Sequence, residues 1–360
     1  MKKVYLESVE LGNYRNFADL SLDFAQGMNI IKGPNGCGKT NILESVSFLS
    51  PGKGLKSANF DDICKFTHNS WSSNFHLQSK MGRAEISTSF SENERSRKIN
   101  YNGSKLSGSE LTNLLNVIWL TPQMEGLFLG GASARRRFLD RIVYNFDAKH
   151  AKNLKAYEHF MRQRNQALLQ GDIYEQASWL TKLEEHMAIE ASAIDASRRE
   201  VAFLMQESID KLETEFPKAQ LEVMKLVENQ QDTEGFLEYY TGALAASRKK
   251  DSYSGRTSFG VHKSDLLVFH KAHNAPAALC STGEQKALLI SIMLASIAAL
   301  LENSNTTPIL LLDELFIHLD EERKKHLSEY ITSSKLQTFI TTTDIVGIED
   351  LAKNAHIIDL

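Results

Sequence analysis

Gly33-Pro34-Asn35-Gly36-Cys37-Gly38-Lys39-Thr40 decides how the rest of the chain is read. The run fits G-x-x-x-x-G-K-[ST], and the task of holding a polyphosphate explains each fixed position. Glycines let the backbone curl until its N–H groups converge on an anion. The helix that follows turns its positive N-terminal end toward the same anion. Lys39 is then placed to reach the β- and γ-phosphates of ATP, and the Thr40 hydroxyl to ligate Mg²⁺, with Asn35, Gly36, Gly38 and Asn41 lining the loop. The flanks agree. Met28 to Lys32 is a short apolar strand that stops at Gly33, and Thr40 to Leu49 reads as a helix with Ile42, Leu43, Val46 and Leu49 on one face. A glycine-rich surface turn would need neither. Cys37 is read as filler in the loop and not as a redox switch.

The other half of such a site lies near the far end of the sequence. Pro308-Ile309-Leu310-Leu311-Leu312-Asp313-Glu314 is an apolar run ending in two acids, the pattern of a buried parallel strand. A strand can simply end in charge, but with a phosphate loop upstream these carboxylates acquire roles. Asp313 would hold Mg²⁺ through water, and Glu314 would orient and polarise an attacking water as general base. Between the two halves, Ser281-Thr282-Gly283-Glu284-Gln285-Lys286 opens a long helix. A capping box from Ser281 to Glu284 accounts for its start. The same segment resembles the signature motif of ABC-type ATPases, which meets the γ-phosphate held by a second copy of the chain. The resemblance therefore implies that Ser281 and Gly283 act in trans. It also implies that Asp320 stands at the dimer seam and that Gln123, after the strand Val117 to Leu120, links the lobes and touches Mg²⁺. One departure is clear. Many ABC-type ATPases end a late strand with a histidine facing the γ-phosphate, whereas here Phe339-Ile340 leads into Thr341-Thr342-Thr343-Asp344. A threonine hydroxyl can donate a hydrogen bond but carries no positive charge, which fits a slow ATPase used as a switch.

Further stretches narrow the resemblance to the RecF family of recombination mediators. Asn13-Tyr14-Arg15-Asn16-Phe17 is similar to that family's opening, with Arg15 near the nucleotide. Asn41-Ile42-Leu43-Glu44 follows the loop as it does there. Gly130 to Asp140 (GGASARRRFLD), after Pro122, is similar to its central segment. Gly260-Val261-His262-Lys263-Ser264-Asp265-Leu266 resembles its Gly-Pro-His block, with Val261 in place of proline. The resemblance covers nearly the whole chain. It implies a compact relative of the SMC ATPases and an ATP-dependent homodimer. It also implies binding to double-stranded DNA at single-strand/double-strand junctions, and action with RecR and RecO to load RecA.

Organisation follows outward from these motifs. The expected fold is α/β, an ABC-type P-loop ATPase head with a mostly helical inserted lobe. Residues 1–122 and 255–360 form the ATPase domain, and residues 123–254 the insertion. From Ala134 to Phe216 there is almost no Gly or Pro, and Gly171 divides the stretch into at least two long helices. Leu180, Leu183, Met187, Ile194, Val201, Met205, Leu212 and Phe216 recur at helical spacing. Interrupted by Glu190 and Ser197, they read as one packed face of a subdomain and not as a free coiled-coil arm. The pair Asn102-Gly103 predicts a hairpin turn.

Composition bounds the function. The 360 residues carry a net charge of −4, with 42% hydrophobic and 24% charged residues. A nucleic-acid binder more often shows a basic balance, so any DNA contact must gather its charge locally. Arg135-Arg136-Arg137 and Arg248-Lys249-Lys250 are the candidate runs, against the plain alternative of a solvated surface; in the family Arg136 and Arg137 would instead support the fold near the nucleotide. Contacts there would be to the backbone of DNA, without base reading. Cys37, Cys64 and Cys280 form no CxxC pair and read as reduced thiols. Met1-Lys2-Lys3-Val4 lacks the apolar run of a signal peptide. Ala287 to Leu301, the longest apolar stretch, carries Ser291 and Ser296 and reads as a core helix, so a cytoplasmic, membrane-free protein is expected. A transporter subunit fits less well, because the signature is Ser-Thr-Gly-Glu-Gln and the gap from Lys39 to Ser281 is far longer than such subunits have. Intact Lys39, Asp313 and Glu314 argue against a dead scaffold. A nuclease-bearing relative is not expected either, since the late strand runs close to Leu360.

Overall fold

The computed structural model of the chain describes residues 4–79, 82–94, 96–171, 173–227, 233–304 and 306–360. Among these the strands are β1 (Tyr5–Tyr14), β2 (Phe17–Asp23), β3 (Met28–Lys32), β4 (Ser70–Ser79), β5 (Gly82–Ser91), β6 (Lys98–Tyr101), β7 (Ser104–Lys105), β8 (Val117–Leu120), β9 (Ala219–Val223), β10 (Leu266–His270), β11 (Ala275–Pro276), β12 (Ile309–Asp313), β13 (Thr338–Thr342) and β14 (His356–Asp359). The helices are α1 (Lys39–Ser47), α2 (Gly108–Leu111), α3 (Ala132–Val143), α4 (His150–Gln170), α5 (Ala177–Lys211), α6 (Thr233–Ser254), α7 (Thr282–Asn303), α8 (Glu321–Ser334) and α9 (Glu349–Ala352). The chain divides into two compact units, one of Met1–Glu125, Lys211–Pro217 and Thr282–Leu360, the other of Gly126–Asp210 and Lys218–Ser281.

The first unit holds two sheets. One is antiparallel, in the order β2-β1-β4-β5-β6-β7; the other is parallel, in the order β14-β3-β13-β12-β8. Their sequences differ as their burial does. β4 and β5 alternate, sending Trp71, Phe75 and Leu77, then Ile86 and Phe90, to the inside. β12 is buried at every position, which is why it reads as an unbroken apolar run. The hairpin at Asn102-Gly103 forms with both residues at positive φ, 47° and 79°, as a two-residue turn of this kind requires. α1 packs into a cluster that also takes Val9 and Phe75 from the antiparallel sheet and Ile31, Leu311 and Phe339 from the parallel one. Gln337 fastens the two sheets together. Its amide donates to Leu6 O and Ala25 O at 2.8 and 2.9 Å, and its carbonyl accepts from Leu6 N–H at 2.8 Å. α7 is long and apolar enough to cross a membrane by length and composition, yet it is buried without a break from Gln285 to Ile297.

The second unit is built on α4, α5 and α6. The sequence stripe on α5 is buried: Leu180, Leu183, Met187, Ile194, Val201 and Met205 all lie inside. Tyr157, Met187, Ile194, Tyr240, Leu244 and Val261 share one core. Charge is buried there too. Arg164, with no side-chain exposure, donates to Glu184 at 2.9 Å, Asp251 at 2.8 Å and Leu244 O at 2.8 Å, tying α4 to α5 and α6. A three-stranded antiparallel sheet, β11-β10-β9, was not foreseen. It accounts for a difference in the second boundary: residues 255–281, expected with the ATPase domain, cluster with the helices instead. β10 pairs with β9, and Arg198 on α5 donates to Val261 O and Ser264 Oγ at 2.8 and 2.9 Å.

Candidate nucleotide-binding site

Parallel pairing sets the site. Asp313 stands opposite Thr341, and Lys32 opposite Thr342, so the carboxyl ends of β3, β12 and β13 finish level. Ligands of open parallel sheets sit at that end. From β3 the chain enters the glycine loop. Gly36 and Gly38 have φ of 84° and 113°, and a Cβ on Gly38 would come within 2.4 Å of the Phe17 ring, so no larger residue fits. Lys39, 4% exposed, donates to Gly33 O at 2.8 Å and Pro34 O at 3.1 Å. The loop thus holds its cation against its own carbonyls.

The acids meet the loop across the sheet. Thr40 Oγ1 donates to Asp313 at 2.9 Å (Oδ1), with 3.2 Å to Oδ2. Thr341 Oγ1 donates to the same Oδ1 at 2.7 Å and accepts from Glu314 N–H at 3.0 Å. Asp313 is 3% exposed; Glu314 sits in the left-handed region at φ 48°, ψ 26°. A hydroxyl and a carboxylate in contact at the mouth of a glycine loop are hard oxygen donors of the kind Mg²⁺ takes.

Around this core the other sequence candidates have definite places. Arg15 grips the fully buried Glu44 of α1 with two bonds, 2.8 and 2.6 Å, and spends a third on Asp62 O at 2.6 Å. Its pairing with Glu44 raises its pKa. Asn41 donates to Asn16 at 2.7 Å and accepts from Lys56 at 2.7 Å; Asn16 donates to Cys37 O at 2.9 Å, so an amide chain braces the loop from outside. Gln123 is exposed, just past the end of β8 beside β12. Asp320 caps α8, accepting from Arg323 N–H at 2.8 Å. Ser281 and Gly283 are exposed at the start of α7.

The basic runs are less free than their sequence suggests. Arg135 is held by Asp265 at 2.9 and 2.7 Å and by Gly130 O at 2.6 Å; Arg136 donates to Ser264 O at 2.6 Å. Arg248 is bonded to Glu184 and to Thr181 Oγ1. These three guanidiniums are engaged within the second unit, whereas Arg137, Lys249 and Lys250 are exposed. The block from Gly260 to Asp265 also works internally. His262 Nε2–H donates to Thr257 O at 2.9 Å, so Nδ1 accepts from Tyr157 O–H at 2.8 Å. Tyr240 O–H then donates to Tyr157 at 2.9 Å and accepts from Val261 N–H at 3.0 Å. Gly260, at φ 136°, leaves no room for a Cβ between the two tyrosine hydroxyls. Burial holds His262 below the usual histidine pKa. Neither the Arg15–Glu44 clasp nor the bond from Thr341 to Asp313 was read from sequence. The only signal for the second was the hydroxyl-rich end of a late strand.

The family model described as RecF/RecN/SMC N terminal domain matches residues 5–358. The DNA replication and repair protein RecF of Rickettsia felis (strain ATCC VR-1525 / URRWXCal2) is 46% identical over 362 residues, covering 100% of this chain and 99% of its own. That of Rickettsia bellii (strain OSU 85-389) is 46% identical over 365 residues, covering 100% of both. In fold the chain is similar to a solved structure of the recombination mediator protein RecF with ATP (TM-score 0.84, 24% identity, 95% of this chain and 92% of that one). It is more distantly similar to an Smc head domain from Pyrococcus furiosus (TM-score 0.51, 17% identity, 96% and 92%).

Proposed function

We propose that this chain, which belongs to the RecF family within the RecF/RecN/SMC N-terminal domain group, is a slow ATPase that serves DNA repair and replication as an ATP-driven dimer. Its fold is that of the ABC-type ATPase head. The observation that carries the reading is the meeting of the glycine loop with the acid pair, Thr40 bonded to Asp313 with Glu314 next in line. Asn35, Gly36, Gly38, Lys39 and Asn41 would hold the phosphates of ATP. Thr40 and Asp313, with Gln123, would hold Mg²⁺, which neutralises charge on the phosphates when bound. Glu314 would take a proton from the attacking water. Ser281 and Gly283 would complete the site from a second copy, with Asp320 at the seam, and Arg15 would steady the loop through Glu44.

We further infer DNA binding at single-strand/double-strand junctions, with RecR and RecO and toward RecA, a reading that membership of the family supports. Lys249 and Lys250, both exposed, support a backbone contact. A cytoplasmic location goes with that role. The test is ATP hydrolysis by the purified protein, without DNA and then with gapped duplex, at two salt concentrations. A slow basal rate, raised by duplex and raised less at high salt, is expected. A rate indifferent to DNA would leave an ATPase without this partner.

A further inference from the structure

We propose that Thr341 is a positioning residue for both acids of the site, fixing the orientation of Asp313 and the backbone turn that aims Glu314. The proposal rests on the hydrolytic reading above and assigns work to a residue that reading leaves idle. Thr341 lies directly opposite Asp313 in the parallel pairing of β13 with β12, and it is 1% exposed. A hydroxyl has one proton to give and lone pairs to receive. Here the proton goes to Asp313 Oδ1 at 2.7 Å, and a lone pair takes Glu314 N–H at 3.0 Å. One side chain therefore touches both acidic residues, one through its carboxylate and the other through its backbone.

Each contact answers a need visible in the fold. β12 ends at Asp313, so the N–H of Glu314 has left the strand ladder, and the Thr341 hydroxyl is its acceptor. Glu314 is in the left-handed region, a conformation that a residue with a Cβ keeps only when its surroundings hold it there. Without that bond the turn loosens, and the Glu314 carboxylate loses its fixed direction. On Asp313, the Thr341 and Thr40 hydroxyls both address Oδ1, at 2.7 and 2.9 Å, which leaves Oδ2 the less occupied oxygen. A buried carboxylate aimed in this way presents one chosen oxygen to a cation. Neither contact reaches the phosphate loop carbonyls that hold Lys39, so nucleotide binding and acid alignment are separable.

The test is Thr341→Val, which keeps the shape and removes the hydroxyl, beside Thr341→Ser, which keeps the hydroxyl. On the full chain we would measure kcat and KM for ATP over a range of Mg²⁺, the affinity for a fluorescent ATP analogue, and the thermal transition. Thr341→Val is expected to lower kcat about 10- to 100-fold, the scale of a misaligned catalytic group. It should raise the Mg²⁺ needed for half-maximal rate while leaving KM and analogue affinity within about twofold. Thr341→Ser should recover most of kcat. A purely structural threonine would move the thermal transition without the split between kcat and KM. Wild-type kcat and Mg²⁺ dependence in Thr341→Val would overturn the proposal, as would a kcat loss that serine does not restore. If Thr341→Val shows no cooperative thermal transition, Thr341→Cys takes its place. Its thiol is a weak donor and acceptor, so kcat should fall between those of the wild type and a hydroxyl-free site; an undiminished kcat overturns the idea. A wild-type chain with no turnover above Lys39→Ala would bring down the hydrolytic reading itself, and with it the proposal. Turnover that is undiminished in Thr341→Val brings down the positioning role alone.

Discussion

Lys39 gives its ammonium protons to Gly33 O and Pro34 O, so phosphate oxygens must take over from these carbonyls when a nucleotide binds. Charge-assisted bonds of this kind are worth about 1.5–3 kcal/mol each. Lys39→Ala is therefore expected to weaken ATP binding about 10- to 100-fold, read by titration of a fluorescent analogue. His262 offers a second prediction at this scale. Its Nδ1 accepts from Tyr157 and its Nε2–H donates to Thr257 O, so the folded protein holds it neutral, with a lowered pKa. Below about pH 6.5 the unfolded chain binds a proton that the folded chain does not. Stability should fall as pH drops from 7 to 5, and His262→Gln should flatten the fall in thermal melts. These residues also show what sequence reveals. The glycine loop was legible because its chemistry lies within eight consecutive residues, and Asp313-Glu314 because an apolar run has to explain two acids at its end. For Arg135 and Arg248 the sequence leaves open a phosphate contact or a solvated surface and is silent on their internal partners, since nothing in a basic run announces Asp265 or Glu184 far along the chain.

At the scale of elements, β3, β8, β12 and the helical stretch broken at Gly171 stand where the sequence puts them. Their periodicities are local and strong. β9 was missed because Ala-Gln-Leu-Glu-Val is a short run whose partner, β10, lies beyond a whole helix, and a lone strand has no local signature. The helices of the second unit are joined by a buried charge cluster as well as by apolar packing. Arg164 on α4 serves Glu184 on α5 and Asp251 on α6, while Arg248 shares Glu184. Removing one member strands the others in a dry interior, at a cost of about 3–5 kcal/mol. Arg164→Leu should lower the free energy of unfolding measured in urea by that amount, with ATP binding in the first unit unchanged below the transition. Glu184→Gln, which keeps an acceptor for both arginines, should cost less.

For the whole molecule, the expected partner is a second copy. Glu314→Gln should hold ATP without turning it over and remain dimeric in sedimentation with ATP and Mg²⁺. Ser281→Arg should stay monomeric under the same conditions. Sedimentation of Glu314→Gln without an ATP-dependent shift would exclude the dimer mechanism. Paired Lys249→Glu and Lys250→Glu should weaken duplex binding regardless of sequence and reduce its salt slope by about two.

The order of strands in the parallel sheet bears on how the chain is made. β3 lies between β13 and β14, partners that follow it by roughly 300 residues. At about 5–20 residues per second, a ribosome needs on the order of 15–60 seconds to deliver them. Throughout that interval the nascent chain carries an apolar strand with both edges bare and a phosphate loop with no acids to face. The contact between Thr40 and Asp313 is therefore among the last parts of the site to become possible during synthesis.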